Sequence, residues 1–383
     1  MRDFIPPGST LGVLGSGQLG RMFAIEARRL GYNVHVFSPE KDTPAGAVAD
    51  REFSADYEDF DALDAFAEGV DVVTLEFENV SLDALNRLER RVPVRPGPQV
   101  LEAAQNRLVE KSSMRRFGLL TAPFAKIESL TGLREKLSEF GGRGVLKTAS
   151  WGYDGKGQKM ISLDDDLENM WTNFEDSETI LEGFVEFTRE LSIIGVRDAR
   201  GIFTCYEPVV NLHANHILDV SVAGPGLCSA TTIKSAQEIV RTVMESLNAV
   251  GVLCVELFET ESGSLLVNEI APRPHNSGHL TIDAHACCQF AQQVRSICNL
   301  PLGSTRLRQP AAMVNLLGDL WPLHGMPNWS NALREPDVYL HLYGKTEAKP
   351  GRKMGHLTAL GSTIENARSR AIAIRESLQD KTR

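Results

Sequence analysis

Two glutamates past the middle of the chain are spaced so that they can share a cation. Glu256 stands in the apolar run Val252-Leu253-Cys254-Val255-Glu256-Leu257-Phe258, and Glu269 in a second run, Leu265-Leu266-Val267-Asn268-Glu269-Ile270-Ala271. Ser262-Gly263 between the runs is a hairpin signal. A turn centred there sets Glu256 directly opposite Glu269, with Cβ atoms roughly 5 Å apart on one face. Like charges opposed on a sheet repel, so the pair calls for a cation, and carboxylate oxygens beside substrate phosphates suit Mg. An exposed hairpin with two solvated acids is the competing explanation. The second run continues into Pro272-Arg273-Pro274-His275-Asn276-Ser277-Gly278-His279. Its prolines stiffen a turn that carries a guanidinium, an imidazole and a carboxamide before any ligand arrives.

Three further stretches carry chemistry suited to phosphates. Lys147 closes the apolar Val145-Leu146, and Gly152-Tyr153-Asp154-Gly155-Lys156-Gly157-Gln158 follows as a loop with exposed N–H groups. It lacks the Walker A spacing. Near the start, Gly15-Ser16-Gly17-Gln18-Leu19-Gly20 completes a G-x-G-x-x-G between a strand and a helix. Alone it predicts a dinucleotide fold, yet its physics is only backbone approach and an anion at a helix N-terminus, which many phosphate ligands satisfy. Near the end, Lys345, Lys349, Arg352 and Lys353 concentrate positive charge in an acidic protein. An arginine fork beside lysine suits a phosphate monoester, and a solvated turn is the alternative.

The elements that must position these groups read as follows. Thr10 to Leu14, Asn33 to Phe37 and Asp71 to Glu76 are parallel-type strands, the last ending in a carboxylate where open α/β sheets bind ligands. Gln18 to Leu30 and Gln99 to Phe117 have helical periodicity, the latter with a basic edge at Arg107, Lys111, Arg115 and Arg116 that reads as a solvated face. Phe124 to Ile127 and Gly144 to Thr148 are strands around a helix at Leu130–Phe140, and Thr179 to Val185 is a strand leaving towards a hinge. Glu182 there, with the backbone of 184–185, offers groups for an adenine amine and ring nitrogen. Val338 to Leu342 is a strand, and Ser362-Thr363-Ile364-Glu365 is a capping box for a terminal helix.

At 383 residues and 42% hydrophobic the chain has room for two or three domains and ample core. A net charge of −10 argues against a nucleic-acid partner. No apolar run has membrane-spanning length, and six cysteines without metal spacing fit reduced thiols in a cytoplasm.

The order of these segments resembles the ATP-grasp superfamily, and within it the 5-(carboxyamino)imidazole ribonucleotide synthase family of purine biosynthesis. The resemblance rests on Gly15 through Met22, Gly152 through Gln158, Ile180-Leu181-Glu182-Gly183-Phe184-Val185, Asn268-Glu269 through His279, and Lys349 through His356. It runs from about Ser9 to about Gly361 and departs at Ser16, where glycine is frequent, and at Ala149-Ser150-Trp151. It implies an ATP-grasp fold, mixed α/β and α+β, preceded by an open parallel α/β (Rossmann-like) domain. The expected divisions are 1–119 for that substrate-binding domain, 120–187 for a small lid, and 188–383 for a larger body with the C-terminal segment.

The resemblance also implies that ATP, bicarbonate and aminoimidazole ribonucleotide react through carboxyphosphate to the carboxyamino product, ADP and phosphate. Mg, or Mn in its place, would sit on Glu256 and Glu269. ATP would meet Arg107, Lys147, Gly152, Tyr153, Asp154, Gly155, Lys156, Gly157, Gln158, Glu182, Gly183, Phe184, Val185, Glu190, His213, Asn268 and Glu269. The match at His213 is loose. The ribonucleotide would meet Gly17, Gln18, Leu19, Glu76, Tyr153, Arg273, Lys345, Arg352 and Lys353. Arg273, His275, Asn276, Lys353 and Asp154 would serve catalysis. A cytoplasmic homodimer, with no nucleic-acid or membrane partner, is the corresponding expectation. An NAD-dependent oxidoreductase explains only the first glycine turn. A formate-using or biotin-dependent ATP-grasp ligase shares the Mg pair but differs in acceptor, and a non-enzymatic nucleotide-binding module would show no acceptor-dependent turnover.

Overall fold

A computed structural model describes residues 4–150, 157–322 and 325–379. Four parallel strands open the chain: β1 (Thr10–Leu14), β2 (Asn33–Ser38), β3 (Arg51–Ser54) and β4 (Val72–Leu75), in the order β3-β2-β1-β4. Nearly all of β1 and β4 is buried, as expected where helices cover both faces of a parallel sheet. Helix α1 (Gln18–Arg29) leaves directly from the glycine turn after β1, so the turn and the end of β4 lie side by side at the carboxyl edge of the sheet. Helices α2 (Phe60–Glu68) and α3 (Leu82–Glu89) follow β3 and β4.

The periodic stretch from Gln99 to Phe117 is two helices, α4 (Pro98–Gln105) and α5 (Arg107–Arg116). The break is chemical. Asn106 has extended φ/ψ, and its side-chain oxygen accepts from the N–H of Leu108 and Val109, an N-cap that starts a new helix. Its amide group donates to Glu178 Oε2 at 2.7 Å, which ties the break to the next sheet.

That sheet is antiparallel and ordered β5-β8-β6-β7, from β5 (Phe124–Ile127), β6 (Arg143–Thr148), β7 (Gln158–Ser162) and β8 (Thr179–Gly183). Helix α6 (Leu130–Glu139) buries Leu133 and Leu137 against Leu146 and Leu181, and α7 (Leu167–Trp171) adds Trp171. Burying each such side chain contributes about 1.5–3 kcal/mol, enough to hold a small separate layer.

The remainder is built on a largely antiparallel sheet. Its strands are β9 (Arg189–Arg197), β10 (Phe203–Cys205), β11 (Val209–Ala214), β12 (Ile217–Ala223), β13 (Gly251–Glu259), β14 (Leu265–Ala271), β15 (Ala311–Leu317), β16 (Val338–Leu342) and β17 (Lys353–Leu360). Their order is β14-β13-β9-β11-β12-β15-β17-β16, with β10 also on β9. Helix α8 (Ala230–Ser246) covers β9 and β13 through Val240, Val243 and Met244. After the short α9 (Thr281–Ala284), helix α10 (Gln289–Ile297) joins the layers. Its Phe290, Val294 and Ile297 share one core with Val13, Phe23 and Val34 of the first domain. Beyond α11 (Trp329–Leu333), the final α12 (Ile364–Ser377) is capped by Thr363, whose hydroxyl accepts from Asn366 N–H at 3.1 Å. The expected capping box therefore sits one residue late, and Glu365 is not its reciprocal partner. Among the described residues no helix is long and apolar enough to cross a membrane.

Candidate active site

Glu256 and Glu269 face each other across β13 and β14, as the hairpin reading requires. The route is less simple than a turn centred on Ser262-Gly263. On the turn side Leu257 faces Val267, so Asn268 is an extra residue, and this bulge brings the two glutamates back into register. Each carboxylate already has a protein cation. His275 Nε2 lies 2.9 Å from Glu256 Oε1, and Arg107 Nη1 donates to Glu269 Oε2 at 3.2 Å. Repulsion within the pair is thus relieved by the chain itself, and repulsion alone does not demand a metal. Burial disfavours charge on both His275 and Glu269. Cys254 and Glu256 nevertheless push His275 up to about 10. Arg107 and then Lys147 hold Glu269 below the usual carboxylate range. The Glu269 side chain keeps 41% of its surface exposed, so it remains open to a ligand.

The proline-stiffened turn is held from beneath. Gln289 at the start of α10 accepts the N–H of His275 at 2.9 Å and donates to its carbonyl at 2.8 Å. His275 Nδ1 meets Ser277 Oγ at 2.8 Å, and Ser277 continues through Ser192 and Asn211 to Ser221, a buried polar row crossing β9, β11 and β12. Every member has a partner, which fixes the imidazole rotamer. Asn276 and Asn315 exchange two amide hydrogen bonds, at 3.0 and 2.8 Å. Arg273 pairs with Glu78 at 2.8 Å. Gln289, Ser192, Asn211, Asn315 and Glu78 went unread in the sequence. The only available signal was a polar side chain set inside an apolar run.

Lys147 is buried. Its Nζ donates to Glu182 Oε2 at 2.9 Å, and Lys111 Nζ stands 3.8 Å from the same oxygen. Burial pushes Glu182 up, but Lys111 and Lys147 together hold it at about 2. For Lys147 burial dominates and lowers its pKa. Glu182 Oε1 is buried with no hydrogen-bond partner among the described residues. Lys111 is itself buried, contrary to the solvated face expected of it. Glu190 and His213 form an ion pair, and Glu256 and His275 also act electrostatically on His213. Against the effect of burial, Glu190 raises its pKa. Gly183, Phe184 and Val185 follow Glu182 directly, and Phe184 N–H donates to Arg143 O at 3.1 Å. Gly157, at φ 70°, accepts Thr148 N–H at 2.9 Å, and Gln158 pairs with Lys147 in the sheet. Gly152, Tyr153, Asp154, Gly155 and Lys156 lie outside the described residues.

The first glycine turn holds an anion that belongs to the chain. Glu76 at the end of β4 accepts the N–H of Gly17, and of Gly20 at 2.7 Å. A Cβ at Gly15 would stand 2.3 Å from Glu76 Cγ, which is why the turn needs glycine there. A dinucleotide pyrophosphate would have to displace this carboxylate. Burial raises the pKa of Glu76, opposed by the two glycine N–H groups and then by the charges of Arg273 and Lys345. Glu76, Gly17, Arg273 and Lys345 therefore form one neighbourhood, with Gln18 and Leu19 opening α1 beside it. Lys345 Nζ donates to Lys353 O at 2.8 Å, binding the loop to β17. Arg352 is exposed, its Nη1 donating to Glu347 O at 3.0 Å, and Lys349 pairs with Glu347 at 2.8 Å. The basic cluster is real, but part of its charge is met locally.

Three family models match consecutive parts of the chain: a ribonucleotide synthetase preATP-grasp domain over residues 9–105, an ATP-grasp domain over 112–290, and a phosphoribosylaminoimidazole carboxylase C-terminal domain over 311–370. The N5-carboxyaminoimidazole ribonucleotide synthase of Bacillus subtilis is 42% identical over 357 residues, 93% of each chain. A solved ADP complex of an N5-carboxyaminoimidazole ribonucleotide synthetase superposes with a TM-score of 0.91 at 40% identity, covering 98% of both chains. The Aspergillus clavatus N5-carboxyaminoimidazole synthase, solved with ADP and aminoimidazole ribonucleotide, gives 0.86 at 29% identity, covering 96% of this chain and 98% of that one.

Proposed function

The chain belongs to the N5-carboxyaminoimidazole ribonucleotide synthase family of ATP-grasp ligases, and from that premise we infer which of its residues carry each step. The reaction is the ATP-dependent carboxylation of the amine of 5-aminoimidazole ribonucleotide by bicarbonate in purine biosynthesis. Bicarbonate is a poor electrophile, so its oxygen first takes the γ-phosphoryl group of ATP, giving carboxyphosphate and ADP. The ribonucleotide amine then forms the C–N bond, phosphate leaves, and the nitrogen loses a proton. The single observation that carries the residue assignment is the Glu256–Glu269 pair, in register and bordered by Arg107 and His275.

The donor set fits a hard divalent ion. Two opposed carboxylates, with no group of three His, Cys, Asp or Glu ligands among the described residues, suit Mg or Mn that takes its other ligands from phosphates and water. When bound, such an ion neutralises charge developing on the transferred phosphoryl group. Arg107 and Lys147, with Gly152 through Gln158, steady the phosphates. Glu182, Gly183, Phe184, Val185, Glu190 and His213 line the nucleoside, and the unpartnered Glu182 oxygen accepts from it. His275, whose pKa Cys254 and Glu256 push up against the effect of burial, offers its imidazole to an anion. Arg273, His275, Asn276, Asp154 and Lys353 hold bicarbonate and shield carboxyphosphate from water. Glu76 on the glycine turn, with Gln18, Leu19, Tyr153, Lys345 and Arg352, receives the ribonucleotide. Residues 1–119, 120–187 and 188–383 are proposed as the three working parts. A cytoplasmic homodimer completes the reading, and sedimentation tests its assembly.

Phosphate release from ATP and bicarbonate, with and without aminoimidazole ribonucleotide, tests the function. The expected result is release strongly stimulated by the ribonucleotide, with one carboxyamino product per phosphate. Stimulation by formate, or ATP binding without acceptor-dependent turnover, refutes it.

A further inference from the structure

Strand β14 is the terminal strand of its sheet, so its outer backbone groups need partners from elsewhere. Val267 N–H finds Leu120 O at 2.7 Å. The groups nearer Glu269 are met by side chains of α5. Lys111 Nζ donates to the carbonyl of Asn268, the extra residue of the bulge, and approaches Val267 O at 3.4 Å. Glu110 Oε1 accepts Ile270 N–H at 2.6 Å. The backbone on both sides of Glu269 is therefore gripped by adjacent residues of one helix, and Arg107 of the same helix pairs with the Glu269 side chain. Glu110 and Lys111 are both at least 98% buried, an expensive place for two ionisable side chains that a sequence could fill with apolar ones.

We propose that Glu110 and Lys111 are positioning residues for the metal–nucleotide site, holding the Asn268 bulge so that the Glu269 carboxylate stands opposite Glu256. The inference rests on the reading of Glu256 and Glu269 as the metal ligands. A bulge inserts one residue into a ladder, and its geometry depends on where its unpaired carbonyl goes. With the ammonium on that carbonyl and the Glu110 carboxyl on the next N–H, residue 269 has one orientation. Lys111 also stands beside Glu182, so one buried charge ties the carboxylate pair to the nucleoside wall. Neither residue touches substrate in this assignment; both act through Glu269.

The test uses the full chain and four variants: Glu110→Leu, Glu110→Gln, Lys111→Met and Glu269→Gln. Calorimetry measures ADP affinity with Mg and in EDTA, so the readout is the Mg-dependent gain rather than turnover. Kinetics adds the Mg concentration for half-maximal rate and the KM for the ribonucleotide. Losing an outer partner of a metal ligand costs about 10- to 100-fold in metal affinity. Glu110→Leu and Lys111→Met should reduce the Mg-dependent gain by that factor and leave the ribonucleotide KM within about 2-fold, the scatter expected of an uninvolved site. Glu110→Gln keeps an oxygen for Ile270 N–H and should retain the wild-type gain. A purely structural role would lower the melting temperature without moving the Mg dependence, and that outcome overturns the proposal. If Lys111→Met does not fold, the Glu110 pair decides alone. No change in Glu269→Gln sinks the metal assignment itself, whereas a change there with none in Glu110→Leu sinks only the positioning role.

Discussion

Glu182→Gln removes one charge from a buried ionic cluster. The Glu182 side chain is 5% exposed, with Lys147 Nζ at 2.9 Å and Lys111 Nζ at 3.8 Å. Although burial works against its charge, Lys111 and Lys147 hold the carboxyl at about 2, against an ordinary value of 4.5. At roughly 1.4 kcal/mol per pH unit, that is on the order of 3 kcal/mol of pairing. Removing one partner from a buried ion pair costs about 3–5 kcal/mol by measurement on other proteins, so the two routes agree. The glutamine variant should be less stable by about 3 kcal/mol near pH 7. At about 2 °C per kcal/mol for a long chain, its melting temperature should fall by about 6 °C. The sign of the pH dependence follows from the depressed value. The stabilisation is complete above about 4.5 and is lost as pH falls towards about 2. The gap between wild type and variant should therefore be flat from neutral pH to about 5 and narrow below that. Scanning calorimetry across this range is the assay. A fall under about 2 °C at neutral pH, or a gap that widens on acidification, refutes the ion-pair account.

Two further changes probe separate regions. A Cβ at Gly17 would stand 2.7 Å from Glu76 Oε1, so Gly17→Ala must push that carboxylate off the glycine turn. One charge-assisted hydrogen bond lost, about 1.5–3 kcal/mol, predicts a 10- to 150-fold rise in ribonucleotide KM with ATP KM unchanged, read by steady-state kinetics. His285 is buried against Tyr206, and burial lowers its pKa to about 4. The unfolded imidazole takes a proton below about 6.5 that the folded one refuses, so wild type should lose up to about 3 kcal/mol as pH falls to 4. His285→Gln should lack this component in calorimetric melts, and parallel curves for both proteins would count against it.

What the sequence determined on its own is local. Apolar runs broken by turn residues specify strands, and a hairpin pairs β13 with β14 because few residues separate them, while the bulge at Asn268 sets the register that opposes Glu256 and Glu269. Candidate phosphate-binding segments are readable for the same reason: glycines, helix starts and clustered basic groups act through the backbone beside them. The order of these segments along the chain was sufficient to indicate the family. Only the tertiary structure decided which charge meets which. Glu76 fills the glycine turn because β4 ends beside β1, although Gly17 is 59 residues away. Lys111 falls on a helix edge that reads as solvated until β14 packs against it, and its nearest carbonyl belongs to a residue 157 positions later. The same holds for Asn106, whose cap divides one periodic stretch into two helices, and for the bulge at Asn268. Periodicity and turn chemistry are written within a few residues. A buried charge takes its partner from whichever strand the fold brings alongside, and the surrounding sequence does not name that strand.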